Sequence, residues 1–155
     1  MPVSRLKEFL DSHNIEYVTI THSPAFTAQG IAASAHVPGK ELAKTVVVKL
    51  GGEVAMAVLP APYKVDFDLL KEIAGVGKAE LATEEEFRDM FPGCEVGAMP
   101  PFGNLYGMKV FAAEKLAEDD EIAFNACSHT ELIKMSYQDF ARLVHPRLGR
   151  FSSHH

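Results

Sequence analysis

Residues 44–50 (KTVVVKL) and 53–59 (EVAMAVL) stand on either side of Gly51-Gly52. Two β-prone runs joined by two glycines are the clearest hairpin signal in the chain, because a tight two-residue turn needs positive φ where only glycine is at ease. Working outward, residues 16–21 (EYVTIT) alternate with the period of a strand. Ahead of them Ser4 caps a first helix with Val3, Leu6, Phe9 and Leu10 along one face, ending near Asn14. Between that strand and the hairpin, Thr27 opens an alanine-rich helix (TAQGIAASAHV) that Pro38-Gly39 stops. Beyond the hairpin, residues 66–74 (DFDLLKEIA) and 83–90 (TEEEFRDM) have helical spacing, with acidic residues in the first turn where the helix dipole favours them. Residues 92–107 are rich in glycine and proline and read as rigid and irregular. Short strands are expected at 109–113, 121–125 and 131–135, with a last helix from Ser136 to about Val144. The alternation predicts one mixed α/β (α+β) domain over residues 1–150, a curved mixed sheet or partial barrel flanked by helices, with 151–155 as a tail.

Composition narrows the function. The 155 residues are 47% hydrophobic and 23% charged, an ordinary globular balance. Fifteen basic against twenty-one acidic residues give a net charge of −6, so binding to DNA or any extended duplex is not expected, since phosphate contacts need a basic excess. A small contact with one end of a nucleic acid remains open. The longest uncharged run, residues 17–39, holds Pro24, Gly30, Pro38 and many hydroxyl and imidazole groups, so it is not a membrane helix. Two cysteines, Cys94 and Cys127, do not make a disulfide framework, and free thiols fit a reducing cytoplasm.

Most motif-like stretches have plain explanations. Residues 74–80 (AGVGKAE) lack the third glycine of a dinucleotide loop and the hydroxyl residue of a Walker loop, and read as a helix terminator. None of the seven histidines belongs to a recognised metal-ligand spacing, and Cys94 has no second cysteine three residues on, so no metal and no cofactor is expected. Cys127-Ser128-His129 puts a thiol and an imidazole on one face of a strand, either as a nucleophile with its base or as mere neighbours. The acidic runs 84–86 and 118–121 read as solvated faces.

Two segments keep a functional reading alongside a plain one. Lys44 leads an otherwise apolar β run; it is either a snorkelling edge residue or a cation placed for chemistry. Gly97-Ala98-Met99-Pro100-Pro101-Phe102-Gly103 is either a rigid corner or a fixed array of backbone groups that a ligand approaches closely.

With these residues in view the chain resembles the YbaK/prolyl-tRNA synthetase-associated domains, which edit mischarged tRNA. The resemblance runs over about residues 4–145: the helix from Thr27, Lys44-Thr45 leading a strand, the GxxxP loop Gly97–Pro101 extended to PFG, then Phe124-Asn125-Ala126, His129 and Ile133. It implies an aminoacyl-ester hydrolase acting on the acceptor end of tRNA, and the lack of metal-ligand spacing makes that hydrolase metal-independent in expectation. Lys44 would lie at the tRNA 3′ end, and the Gly97-Ala98 backbone would align the terminal adenosine and a water. Thr45, Met99, Pro100, Pro101, Phe102, Gly103, Asn125 and Cys127 would surround the substrate. Phe26, Thr27, Ala28 and Ile31 would line the amino-acid pocket, with His129 near its rim. Lys40, Lys44, Lys49, Lys64 and Lys109 are the lysines available to hold the CCA end. The chain departs from the family at Cys127, where glycine is usual, and a side chain there is expected to narrow the pocket in favour of small amino acids. Taken with the composition, and with a chain that leaves no room for a synthetase region, this points to a cytoplasmic, free-standing deacylase, an aminoacyl-tRNA synthetase being a further candidate partner. The alternatives are a non-catalytic module of the same fold that binds tRNA or a synthetase, and a thiol hydrolase using Cys127 and His129.

Overall fold

The computed structural model describes residues 2–21, 41–91, 94–95 and 97–154. The helix expected from Thr27 lies outside them. The hairpin forms as read: β2 (Ala43–Leu50) and β3 (Glu53–Pro60) pair antiparallel through Gly51 and Gly52, whose φ values are 59° and 89°. It is the centre of a five-stranded mixed sheet. β5 (Ala79–Leu81) joins the outer edge of β2, while β6 (Val110–Ala113) and β9 (Arg147–Gly149) extend the other side in parallel. A second, antiparallel sheet places β8 (Glu131–Ser136) between β1 (Tyr17–Thr21) and β7 (Glu121–Ser128). A third pairs β4 (Tyr63–Val65) with β10 (Ser152–His154). The mixed α+β class holds, and the single curved sheet resolves into these three.

Alternation along β2 sends its side chains to two separate cores. Ala43 and Val47 pack into the core between the two larger sheets, with Leu6 and Leu10 of α1 (Pro2–Ser12) and Phe124 of β7. Val48 and Leu50 turn the other way, into a core closed by Leu70 of α2 (Phe67–Ala74) and by Phe151. Covering both faces is why β3 reads as a nearly continuous apolar run. Gly149 marks the tightest contact on this side, because a Cβ there would come within 2.5 Å of Ile73 on α2.

The helix ends follow their capping residues. Asp66 accepts the Asp68 and Leu69 N–H groups at the start of α2, and Gly75, at φ 69°, returns its N–H to the Lys71 and Glu72 carbonyls. The 74–80 stretch therefore does end a helix, and its last residues go on to form β5. A capping box between Thr83 and Glu86 starts α3 (Glu84–Phe87), which gives way to a 3-10 turn at Arg88–Met90, so the α-helix is shorter than the spacing suggested. Ser136 caps α4 (Tyr137–Val144) by accepting the Asp139 N–H.

Other differences have local causes. α1 begins at Pro2, so Ser4 lies within the helix and is not its cap. β7 runs on to Ser128, three residues beyond its expected end. The 151–155 tail is not a tail: Phe151 is fully buried, its carbonyl accepts the Asp66 N–H at 2.6 Å, and the next three residues form β10. No helix among the described residues is long and apolar enough to cross a membrane.

Candidate active site

The site is built along one edge of β7. Its other edge is taken by β8, leaving this one to two neighbours in succession. First, Leu42 bridges Ala123 in parallel just ahead of β2. Two residues further along each strand, Lys44 and Asn125 fall on the face of that bridged pair. Then β2 departs, and Glu95 and Ala98 take its place. Glu95 donates its N–H to the Cys127 carbonyl at 3.0 Å, and Cys127 donates its own to the Ala98 carbonyl at 2.9 Å. The segment leading into Lys44 and the start of the GxxxP loop, far apart in sequence, thus become consecutive neighbours of one strand.

The loop is a turn closed by the Ala98 N–H on the Glu95 carbonyl at 3.0 Å. Gly97 sits at its tip with φ 85°, a conformation that L side chains rarely adopt. The ring of His129, itself 7% exposed, packs on it: a Cβ at Gly97 would lie 3.4 Å from Cε1. His129 Nε2 is 3.9 Å from the Glu95 carboxylate. From Ala98 to Gly103 the loop is buried, while Gly97 is exposed. Pro100 and Pro101 carry no N–H, so burying them strands no donor. Among the described residues the Gly97 and Met99 N–H groups find no acceptor, which leaves two donors at the turn. Phe102 anchors the far end against Phe9, Phe124 and Phe140, with ring centroids 6.1, 5.4 and 5.6 Å away. Gly103 has no room for a side chain at all, because a Cβ would meet the Met108 carbonyl oxygen at 2.6 Å.

Charge and polarity at the seam are unbalanced. Burial lowers the Lys44 pKa from the ordinary lysine value, and no carboxylate among the described residues pairs with it. Asn125 Oδ1 and Thr45 Oγ1 are buried without a hydrogen-bond partner among the described residues. Thr45, however, leaves β2 on the face of Ala43 and Val47, toward the inter-sheet core, so Lys44 and Thr45 do not act side by side. Of the other lysines, Lys49 holds Glu86 at 2.6 Å, Lys109 lies 4.0 Å from Glu53, and Lys40 is outside the described residues. A surface cavity of about 350 Å³ lined by Glu114, Lys115, Glu118, Arg150 and Ser152 shares no residue with the seam.

Residues 22–143 match the model of the aminoacyl-tRNA editing domain. The chain belongs to this family. It is 29% identical over 152 residues to the multifunctional Ser/Thr-tRNA deacylase ProXp-y of Escherichia coli (strain K12), covering 95% of this chain and 90% of that protein. Among solved structures, the hypothetical protein APE2540 superposes with a TM-score of 0.85 at 20% identity, over 96% of this chain and 99% of that one. A candidate trans-editing enzyme for prolyl tRNA synthetase does so with 0.82 at 17%, over 98% and 97%.

The cysteines of this editing domain are not free. Cys94 and Cys127 are joined in a disulfide, with Cα atoms 4.3 Å apart. The sulfur expected to narrow the pocket is turned to Cys94 instead, and a thiol nucleophile is not present in this form. The same-face argument for Cys127 and His129 also fails, because the β7–β8 register shifts between Asn125 and Ser128 and Cys127 adopts φ 67°. That left-handed backbone is the physical reason glycine suits this position. Tyr106 Oη lies 3.9 Å from both sulfurs.

The structure therefore brings Lys44, Gly97, Ala98, Asn125, Cys127 and His129 to one seam. Met99 and Phe102 lie behind it in the core, with Pro100, Pro101 and Gly103 buried along the same loop. Phe26, Thr27, Ala28 and Ile31 lie outside the described residues. Sequence reasoning missed Glu95 and Tyr106; Cys94, three residues before Gly97, was the available signal that the loop's approach carried chemistry. No group of three metal-ligating side chains occurs among the described residues.

Proposed function

We propose that this editing domain is a free-standing, trans-acting deacylase that hydrolyses the ester of a mischarged aminoacyl-tRNA, with serine and threonine among its favoured amino acids. The observation that carries the reading is that one edge of β7 receives first the segment leading into a partly desolvated Lys44, with which no carboxylate among the described residues pairs, and then the amide-presenting turn at Gly97. The substrate preference is supported by the Ser/Thr-tRNA deacylase activity for which the E. coli relative is named, a protein that this chain matches along nearly all its length.

An aminoacyl ester is already activated, so orientation and electrostatic stabilisation suffice. In this reading the ester carbonyl oxygen sits against the Gly97 turn. Water adds to the carbonyl carbon, and the oxygen that becomes negative is met by backbone N–H donors. Each such donor is worth about 10²–10³ in rate where it has been removed from other hydrolases. Collapse of the tetrahedral species expels the ribose oxygen of the terminal adenosine, which takes up a proton, leaving free amino acid and uncharged tRNA. Lys44 supplies a compact positive charge to the terminal phosphate or the developing oxyanion. No side chain forms a covalent intermediate, and no metal takes part.

The test is a panel of alanyl, seryl, threonyl and bulkier esters on one tRNA, incubated with the protein and followed by loss of label. Seryl and threonyl esters are expected to be cleaved fastest. Release no faster than spontaneous hydrolysis with every ester, despite tRNA binding, would identify a non-catalytic module.

A further inference from the structure

Both cysteines of the chain converge on the base of the Gly97 turn. Cys94 lies three residues before Gly97, and Cys127 is the β7 residue that accepts from Glu95 and donates to Ala98. One residue thus carries both backbone ties of the turn to β7 and the covalent one. We propose that Cys94 and Cys127 are a redox-operated clamp that holds the Gly97 turn when joined and loosens it when reduced, so that the deacylase is faster in its oxidised form. The activity part of this proposal rests on the function proposed above; the clamp itself does not.

Three observations support it. Cys127 occupies a left-handed conformation, φ 67°, which glycine adopts freely and cysteine does not, so the side chain is kept there against the backbone's preference. The two residues differ in exposure: Cys127 is 5% exposed, whereas Cys94 is half-buried, so Cys94 is the side from which a small disulfide or thiol would approach. Finally, Tyr106 Oη stands 3.9 Å from each sulfur, with the Arg5 guanidinium 5.7 Å from its ring centroid. Burial raises the Tyr106 pKa, so the phenol stays protonated and can donate to the thiolate that reduction releases. In a reducing compartment, a lone pair of this kind is more often redox-sensing than structural.

The chemistry balances with glutathione disulfide as oxidant. The Cys94 thiolate attacks one glutathione sulfur and expels the other as glutathione thiolate. The Cys127 thiolate then attacks the Cys94 sulfur and expels the second glutathione. Two cysteine thiols lose two protons and two electrons, and one glutathione disulfide becomes two glutathione thiols. Joining the cysteines fixes the amides at Gly97 and Met99 before substrate arrives, and such preorganisation raises the rate of the chemical step.

The experiment equilibrates the whole protein in glutathione buffers from fully reduced to fully oxidised. It measures the disulfide fraction by thiol alkylation and mass, seryl-tRNA hydrolysis, and hydrogen exchange of residues 97–99. The rate is expected to rise at least fivefold with the disulfide fraction, and exchange to slow in parallel. Cys94→Ser should hold the protein at the reduced-state rate in every buffer. Equal rates and equal exchange in both states, or alkylation of both cysteines in the fully oxidised buffer, would overturn the clamp. If no buffer gives hydrolysis, the proposed function fails, and slowed exchange on oxidation still supports the clamp while unchanged exchange refutes it.

Discussion

Gly103→Ala is the substitution whose effect can be worked most directly from the structure. The added Cβ would stand 2.6 Å from the Met108 carbonyl oxygen and 2.6 Å from Val110 Cγ2, against 3.4 Å or more for ordinary contact. Neither neighbour gives way easily. Met108 returns its N–H to the Gly103 carbonyl at 2.9 Å, and Val110 is held in β6 opposite Met56. Residue 103 must therefore move by a large part of an ångström and draw Phe102 out of its three ring contacts. Overpacking of this kind costs about 1–3 kcal/mol, which for a domain of this size lowers Tm by roughly 2–12 °C. Because Phe102 anchors the loop that presents Gly97, deacylation should fall about 10-fold at temperatures where the variant remains folded, less than the ~100-fold that a full 1 Å misplacement at a reacting centre can cost. The control is Gly77→Ala, where a Cβ meets nothing within 4 Å; its stability should stay within about 0.5 kcal/mol of wild type. Thermal melts and single-turnover hydrolysis of seryl-tRNA measure both effects. A Gly103→Ala protein that melts and cleaves like Gly77→Ala would refute the reasoning.

Three further outcomes follow from the charges and the ligand set. Burial lowers the Lys44 pKa, so the folded protein binds fewer protons than the unfolded chain just below the ordinary lysine value; stability therefore rises with pH through that window, and the full penalty is present at neutral pH. Lys44→Met should raise Tm at pH 7 while abolishing deacylation, and the Tm gap should shrink toward pH 10.5; a lower Tm would contradict this. Glu86 is held at a pKa of about 2, against 4.5, first by the Lys49 ammonium and then by the Thr83 N–H. Its contribution is complete above pH 4.5 and lost as pH falls toward 2, so urea titrations should show a shallower acid limb in Glu86→Gln; an unchanged limb would remove the pair from the account. Exhaustive chelation should leave hydrolysis unchanged, whereas stoichiometric zinc with chelator-sensitive activity would show that a metal takes part.

Much of this was legible in the sequence because it was local. Gly51-Gly52 between two β runs specifies the hairpin, and the glycine-rich stretch after Ala74 marks the end of α2. Lys44 and the GxxxP loop could be picked out as exceptions to apolar patterning. What escaped was whatever depends on pairing between distant segments. β5, β9 and β10 are three residues each, too short for a period to show, and they exist because an edge of β2, β6 or β4 was there to receive them. Phe151 looked terminal and is core. The cysteines, 33 residues apart, meet only because the loop lies along β7. The alternation argument for Cys127 and His129 failed at a register shift that no periodicity announces.

The central claim is that Lys44 and the Gly97 turn form one hydrolytic site. Its most direct test is single-turnover hydrolysis of seryl-tRNA by wild type, Lys44→Ala and Lys44→Arg, with circular dichroism to verify the fold. Both variants should remain folded and lose about 100-fold or more in rate, since neither truncation nor a planar guanidinium replaces a compact ammonium at a tight site. Hydrolysis by folded Lys44→Ala at the wild-type rate would contradict the account.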